Sequence, residues 1–156
     1  MRSELEVNGA RVAWEHEPHE FLTEVLRREG LKGTKRGCES GDCGACAVLL
    51  DGEEVPSCLV LAAQAHGHAV ETIEGVGSFE APHPIQEAFL DATAIQCGYC
   101  TPGMVLATKA LLAETPNPTE ADARACLAGH LCRCTGYVKP IQAVLSAAQR
   151  CQAGAQ

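Results

Sequence analysis

The chain has few aromatic residues, a shortage of positive charge and no long apolar run, and each shortage closes off a class of function. Phe, Trp and Tyr make up 4% of 156 residues although hydrophobic residues reach 46%. So few rings suit small helices packed closely around something other than bulky side chains. Twelve Lys and Arg stand against 20 Asp and Glu, a formal charge of -8. Nucleic-acid binding needs a net basic face, so that class is excluded. No stretch approaches the ~20 apolar residues of a membrane span, which excludes direct membrane insertion. The opening Met1-Arg2-Ser3-Glu4-Leu5-Glu6 has neither an apolar signal core nor a twin arginine, so a cytoplasmic, reducing compartment is expected.

Cysteine is plentiful, with ten in the chain. In a reducing compartment such density points to metal, not to a disulfide scaffold. Eight fall into two sets. Cys38, Cys43, Cys46 and Cys58 have the spacing C-x4-C-x2-C with a fourth Cys beyond, and the first three match the plant-type [2Fe-2S] arrangement. Glycines at 33, 37, 41 and 44 let the main chain approach a flat iron–sulfur rhomb and aim N–H groups at its sulfurs. A four-cysteine zinc site is the alternative, disfavoured because structural zinc prefers close pairs on both sides. The second set, Cys97, Cys100, Cys132 and Cys134, joins C-x2-C to C-x-C. Spacing alone lets it hold zinc, a cluster or a redox disulfide.

Cys126 and Cys151 belong to neither set and read as a small helix-face hydrophobe and an inert tail thiol. The histidines, His16, His19, His66, His68, His83 and His130, include no pair interleaved with cysteines, against a Rieske centre. Lys32, Lys35 and Arg36 flank the first set and read as a solvated loop. No nucleophile, base or oxyanion hole is visible, so no catalytic residue is expected.

Along the chain, Leu5–Val7 and Val12–Trp14 around Asn8-Gly9 predict a hairpin with a type I′ turn. Phe21, Leu22, Val25 and Leu26 have helical spacing up to Gly30. Ala47–Leu50 and Val55–Cys58 around Asp51-Gly52 predict a second hairpin, Leu59–His66 a turn or two of helix, and Ala69–Ile73 a closing strand. Composition shifts at Gly75-Val76-Gly77-Ser78, and the strand signals stop. Four helices are expected beyond, opened by Pro84, by Pro102, by Thr119-Glu120-Ala121-Asp122 and by Pro140. Short connections pack them as a bundle. The expected organisation is α+β: residues 1–75, a linker at 76–82, and a helical unit at 83–156.

Three stretches together resemble a known family. They are Leu26-Arg27 with Gly33-Thr34-Lys35-Arg36-Gly37-Cys38-Glu39-Ser40-Gly41-Asp42-Cys43-Gly44-Ala45-Cys46, then Gln96-Cys97-Gly98-Tyr99-Cys100-Thr101-Pro102-Gly103, and finally Leu131-Cys132-Arg133-Cys134-Thr135-Gly136-Tyr137. The chain resembles, over about residues 3 to 150, the small iron–sulfur subunit of the molybdenum hydroxylases: xanthine dehydrogenase, aldehyde oxidoreductase and carbon monoxide dehydrogenase. The resemblance implies a β-grasp ferredoxin-like domain followed by an all-α four-helix bundle domain, each with one [2Fe-2S] cluster. It implies that Cys38, Cys43, Cys46 and Cys58 ligate an outer cluster facing FAD on a medium subunit. Cys97, Cys100, Cys132 and Cys134 would ligate an inner cluster beside the molybdenum pyranopterin of a large subunit, with Gln96 and Cys134 near the pterin. A dimer of heterotrimers is implied for the complex. The chain departs from the family at His130, where Asn is more usual. A free-standing soluble ferredoxin and a zinc-stabilised interaction module are the other readings of the residues.

Overall fold

The computed structural model describes residues 1–153, so residues 154–156 of the expected helical unit lie outside the described residues. Strand β1 (Arg2–Val7) turns its alternate residues Ser3, Leu5 and Val7 inward, and β2 (Ala10–Glu15) returns antiparallel to it. Between them Asn8 and Gly9 take φ of 51° and 80°, the doubly left-handed path of a type I′ turn. β3 (Ala47–Leu50) and β4 (Glu53–Pro56) form the second hairpin, and β5 (Ala69–Glu71) lies parallel to β1 and antiparallel to β3. The mixed sheet runs β2-β1-β5-β3-β4.

Helix α1 (Leu22–Arg28) lays Leu22 and Leu26 against Leu5, Val7, Val48 and Val70, and Gly30 at φ 95° lets the chain leave the helix. The second half holds α2 (Ile73–Val76), α3 (Pro84–Asp91), α4 (Thr101–Glu114), α5 (Glu120–Leu127) and α6 (Val138–Ala153). Helix α4 is central, because Gly103 to Thr108 are all buried, as expected of a helix covered on every side. Thr119 caps α5 by accepting from the Asp122 N–H at 3.2 Å while the Asp122 carboxylate accepts from the Thr119 N–H at 2.7 Å.

Strand β3 is a wall common to both halves. Its successive side chains point to opposite faces, so Val48 joins the core under α1 and Leu49 joins the core of the helices. The sheet and the bundle therefore pack directly on each other. Among the described residues no helix is long and apolar enough to cross a membrane.

Three local expectations change, while the turn of helix expected within Leu59–His66 is present as a 3-10 turn, Ala62–Ala65. The strand expected to reach Cys58 ends at Pro56, where proline withdraws an N–H from the ladder, leaving Cys58 in the turn beyond. The closing strand stops at Glu71, and Ile73 begins α2 instead, which carries helix across the expected boundary. Helix α6 starts before Pro140 and runs to Ala153, so Cys151 is no tail thiol; it lies half-buried against the helical core.

Candidate metal centres

The loop between α1 and β3 holds Cys38, Cys43 and Cys46 of the first set, and the turn after β4 brings in Cys58. Cys38 is exposed, Cys43 half-buried, and Cys46 and Cys58 buried. Backbone N–H groups turn toward the sulfurs: Asp42 N–H donates to Cys38 Sγ at 3.2 Å, Ser40 N–H to the same atom at 3.5 Å, and Cys38 N–H to Cys43 Sγ at 3.4 Å. The donors onto Cys38 Sγ, led by the Ser40 N–H, hold the Cys38 thiol down to about 6. Burial, reinforced by the Cys58 thiol beside it, pushes Cys46 up to about 11. The Ser57 hydroxyl donates to the Cys46 carbonyl at 2.6 Å and so ties the Cys58 turn to the loop. Gly37 lies so close under Cys43 that a Cβ there would stand 2.5 Å from its sulfur. A larger residue would close the space the loop leaves around its sulfurs.

The second set straddles the bundle. Cys97 and Cys100 lead into α4, and Cys132 and Cys134 lie between α5 and α6. Cys100 is pushed up to about 12, by burial first and then by the Cys132 thiol. Burial also acts to raise Cys132, but the Thr135 hydroxyl at 3.1 Å and the Thr135 N–H at 3.4 Å outweigh it and hold that thiol low. The Cys97 thiol beside it raises Cys134.

Each set thus comes together as neighbouring thiols, Cys38 beside Cys43 and Cys46 beside Cys58 in the first, and Cys100 beside Cys132 and Cys97 beside Cys134 in the second, with Cys97 also acting on Cys100 and Cys132 on Cys134. Among the described residues no three His, Cys, Asp or Glu side chains close on one point as a single-ion site requires. Two thiolates for each of two irons is what a [2Fe-2S] rhomb takes, so the donors fit that group.

Gln96 is exposed beside this site, and its side-chain amide donates to the Cys134 carbonyl at 3.1 Å, which ties the two halves of the second set together. The expected solvated loop at 32–36 is only part right. Lys35 is half-buried with its Nζ 5.7 Å from the Tyr99 ring centroid, and burial lowers its pKa. Arg36 is exposed and pairs with Glu39.

Sequence reasoning left several residues of the site without a role. Tyr99 donates from its hydroxyl to the Arg36 carbonyl at 2.6 Å. The Tyr137 hydroxyl donates to the His130 carbonyl at 3.0 Å and accepts from the Cys132 N–H at 2.8 Å. His130 is buried, with Nε2 2.9 Å from the Glu54 carboxylate and its ring against Gly44 and Gly103. None of these contacts joins residues near in sequence except those of Tyr137. Only the Thr-Gly-Tyr run after Cys134 carried a local signal.

Two family models cover the chain in succession, a 2Fe-2S iron–sulfur cluster binding domain at residues 5–71 and a [2Fe-2S] binding domain at residues 72–145. The nicotinate dehydrogenase small FeS subunit of Eubacterium barkeri is 45% identical over 94% of this chain and 94% of its own length. The chain belongs to the small iron–sulfur subunits of the molybdenum hydroxylase family. The xanthine dehydrogenase iron–sulfur-binding subunit of Escherichia coli is 43% identical, with 91% of each chain covered. Among solved structures, quinoline 2-oxidoreductase from Pseudomonas putida superposes with a TM-score of 0.94 at 41% identity, covering 99% of this chain and 97% of that one. As a small iron–sulfur subunit, the protein is an electron-transfer component of an oxidoreductase complex and has partner subunits. Its fold is the expected ferredoxin-like domain followed by a helical one, and its cofactors are [2Fe-2S] clusters.

Proposed function

We propose that Cys38, Cys43, Cys46 and Cys58 hold the outer [2Fe-2S] cluster and that Cys97, Cys100, Cys132 and Cys134 hold the inner one. The observation that carries this assignment is the convergence of N–H and O–H donors on the sulfurs of each set, on Cys38 and Cys43 in the first and on Cys132 in the second. Residues 1–75 and 83–156 are then the two cluster domains, with 76–82 between them. When bound, each cluster supplies a one-electron couple that changes charge without changing ligands.

Within this reading the chain's own residues do three things. The N–H groups of Ser40 and Asp42, and the Thr135 hydroxyl, stabilise negative charge on sulfur and so favour the reduced state. The glycines leave room for the loop to wrap the rhomb. Gln96 fixes the Cys134 carbonyl while its amide oxygen remains to accept from the pterin. Electrons enter near Gln96 and Cys134 from a molybdenum pyranopterin on a large partner subunit and leave past Cys38 toward FAD on a medium one. A dimer of such heterotrimers in the cytoplasm is the assembly we assign. The relatives named as small or iron–sulfur-binding subunits support partners over a free-standing ferredoxin.

The test is electron paramagnetic resonance of the purified, reduced complex, which should show two distinguishable S = 1/2 signals. Cys134→Ser should perturb only the inner signal and block electron flow from substrate. Loss of the outer signal with the inner intact would overturn the assignment of cysteines to clusters, and a colourless, zinc-loaded protein would overturn the redox reading.

A further inference from the structure

The loops that carry the two cysteine sets meet along a seam, and two hydrogen bonds cross it. At one point the Cys43 carbonyl accepts from the Leu131 N–H at 3.0 Å, and Leu131 directly precedes Cys132. At the other, the Arg36 carbonyl accepts from the Tyr99 hydroxyl at 2.6 Å. Tyr99 lies between Cys97 and Cys100, and Arg36 stands two residues before Cys38. The Lys35 N–H donates to the Ala45 carbonyl at 2.9 Å, which holds the 35–36 stretch against the far side of the same loop. Each of the two crossing bonds therefore joins the loop of one cysteine set to the loop of the other.

We propose that Tyr99 is a positioning residue for electron exchange between the two cysteine sets, its hydroxyl keeping the bridge from Cys43 to Leu131 closed. This rests on the reading of the sets as cluster ligands. From Cys43 Sγ the bridge follows covalent bonds to the carbonyl, crosses one hydrogen bond to the Leu131 nitrogen, and follows covalent bonds again to Cys132 Sγ. An electron tunnels better along bonds and hydrogen bonds than across a gap, so the state of that hydrogen bond sets the coupling. The exchange moves one electron, one cluster being oxidised as the other is reduced. No bond or proton in the chain changes.

The Leu131 side chain is 59% exposed, so its own packing does not hold its N–H on Cys43. Besides the packing of β3 on the helices, two contacts fix the two loops against each other. At one end His130 is wedged against Gly44 and Gly103 and bonded to Glu54 and Tyr137. Tyr99 supplies the second anchor and so fixes the orientation of one loop against the other. Its ring is 46% exposed, and the hydroxyl is its hydrogen bond across the seam.

The experiment compares wild type, Tyr99→Phe and Lys35→Met in the purified, cluster-loaded complex. Two quantities are read: the spin–spin splitting between the fully reduced clusters, and the rate at which an electron redistributes between them. Wild type should show a resolved splitting. In Tyr99→Phe both signals should keep their full spin count while the splitting broadens and the rate falls by up to about fivefold, the factor by which loss of one net hydrogen bond lowers the closed-to-open ratio of the bridge. Lys35→Met removes the cation near the ring but keeps the hydroxyl, and should match wild type within twofold. Wild-type splitting and rate in Tyr99→Phe would overturn the proposal. So would loss of splitting in Lys35→Met alone, which would make the cation the tie. Absence of iron signals from wild type would overturn the cluster reading itself, an outcome distinct from both.

Discussion

The Thr135 hydroxyl donates to Cys132 Sγ at 3.1 Å, and the Thr135 N–H reaches the same sulfur at 3.4 Å. A hydrogen bond to a thiolate is stronger when the cluster is reduced, because the sulfur then carries more charge. Thr135→Val keeps the shape and removes the hydroxyl donor. The inner cluster's potential should fall by roughly 40 mV, the equivalent of ~1 kcal/mol for a one-electron couple. A redox titration followed by paramagnetic resonance reads it. An unchanged inner potential would show that the hydroxyl contributes nothing to the couple.

In the cluster-free protein the thiols should differ sharply in reactivity. Cys38 sits at about 6 and Cys126 is pushed up to about 12 by burial and the nearby Glu54. Below pH 6 Cys38 is a thiol and slow to react; above it the thiolate dominates. Alkylation followed by mass spectrometry should give Cys38 a midpoint near pH 6 while Cys126 stays unmodified at neutral pH. Equal labelling of the two would contradict the loop geometry around Cys38.

Much of this fold is legible in the sequence because its signals are local. Asn8-Gly9 and Asp51-Gly52 name their turns, Pro84 and Thr119 name their helix starts, and the cysteine spacing names a cluster loop. The pairing of thiols is less visible, since Cys58 meets Cys46, and Cys134 meets Cys97, only after the chain has folded. Least visible is the seam. Tyr99 and Arg36 are 63 residues apart, and an exposed tyrosine carries no sign of what its hydroxyl touches. Lys35 was misread for the same reason: a charge in a glycine-rich loop reads as solvated until the other half of the chain packs over it.

Two glycines with similar backbone angles should respond differently to alanine. Gly9 at φ 80° has nothing within 4 Å of an added Cβ, whereas at Gly44, φ 70°, that atom would stand 2.5 Å from the Gly129 carbonyl oxygen and collide with His130. Gly9→Ala should cost about 1 kcal/mol of left-handed strain, an apparent Tm loss of ~2–4 °C. Gly44→Ala should cost at least twice as much and release iron from both sets. Thermal scans with iron analysis on the two variants decide it; equal losses would mean that the Gly44 loop yields freely.

The contact of His130 Nε2 with the Glu54 carboxylate gives a second stability test. His130 Nδ1 is buried with no partner, so in the neutral ring the proton belongs on Nε2, which donates to Glu54 at 2.9 Å. Glu54→Ala strands that donor inside the protein and should cost about 1–3 kcal/mol, while Glu54→Gln keeps an acceptor and should cost less than half as much. Denaturant unfolding of the two variants reads the difference. If both variants lost the same stability, the carboxylate charge and not the accepted hydrogen bond would be what matters at His130.

The bond from the Leu131 N–H to the Cys43 carbonyl also bears on how the protein matures. A cage filled with iron and sulfide immobilises its own loop, and that loop presents half of a contact required by the other cage. Filling either one first lowers the disorder that the second must overcome, whichever is loaded first. Iron delivery to the nascent wild-type chain should therefore be cooperative, with half-loaded molecules scarce.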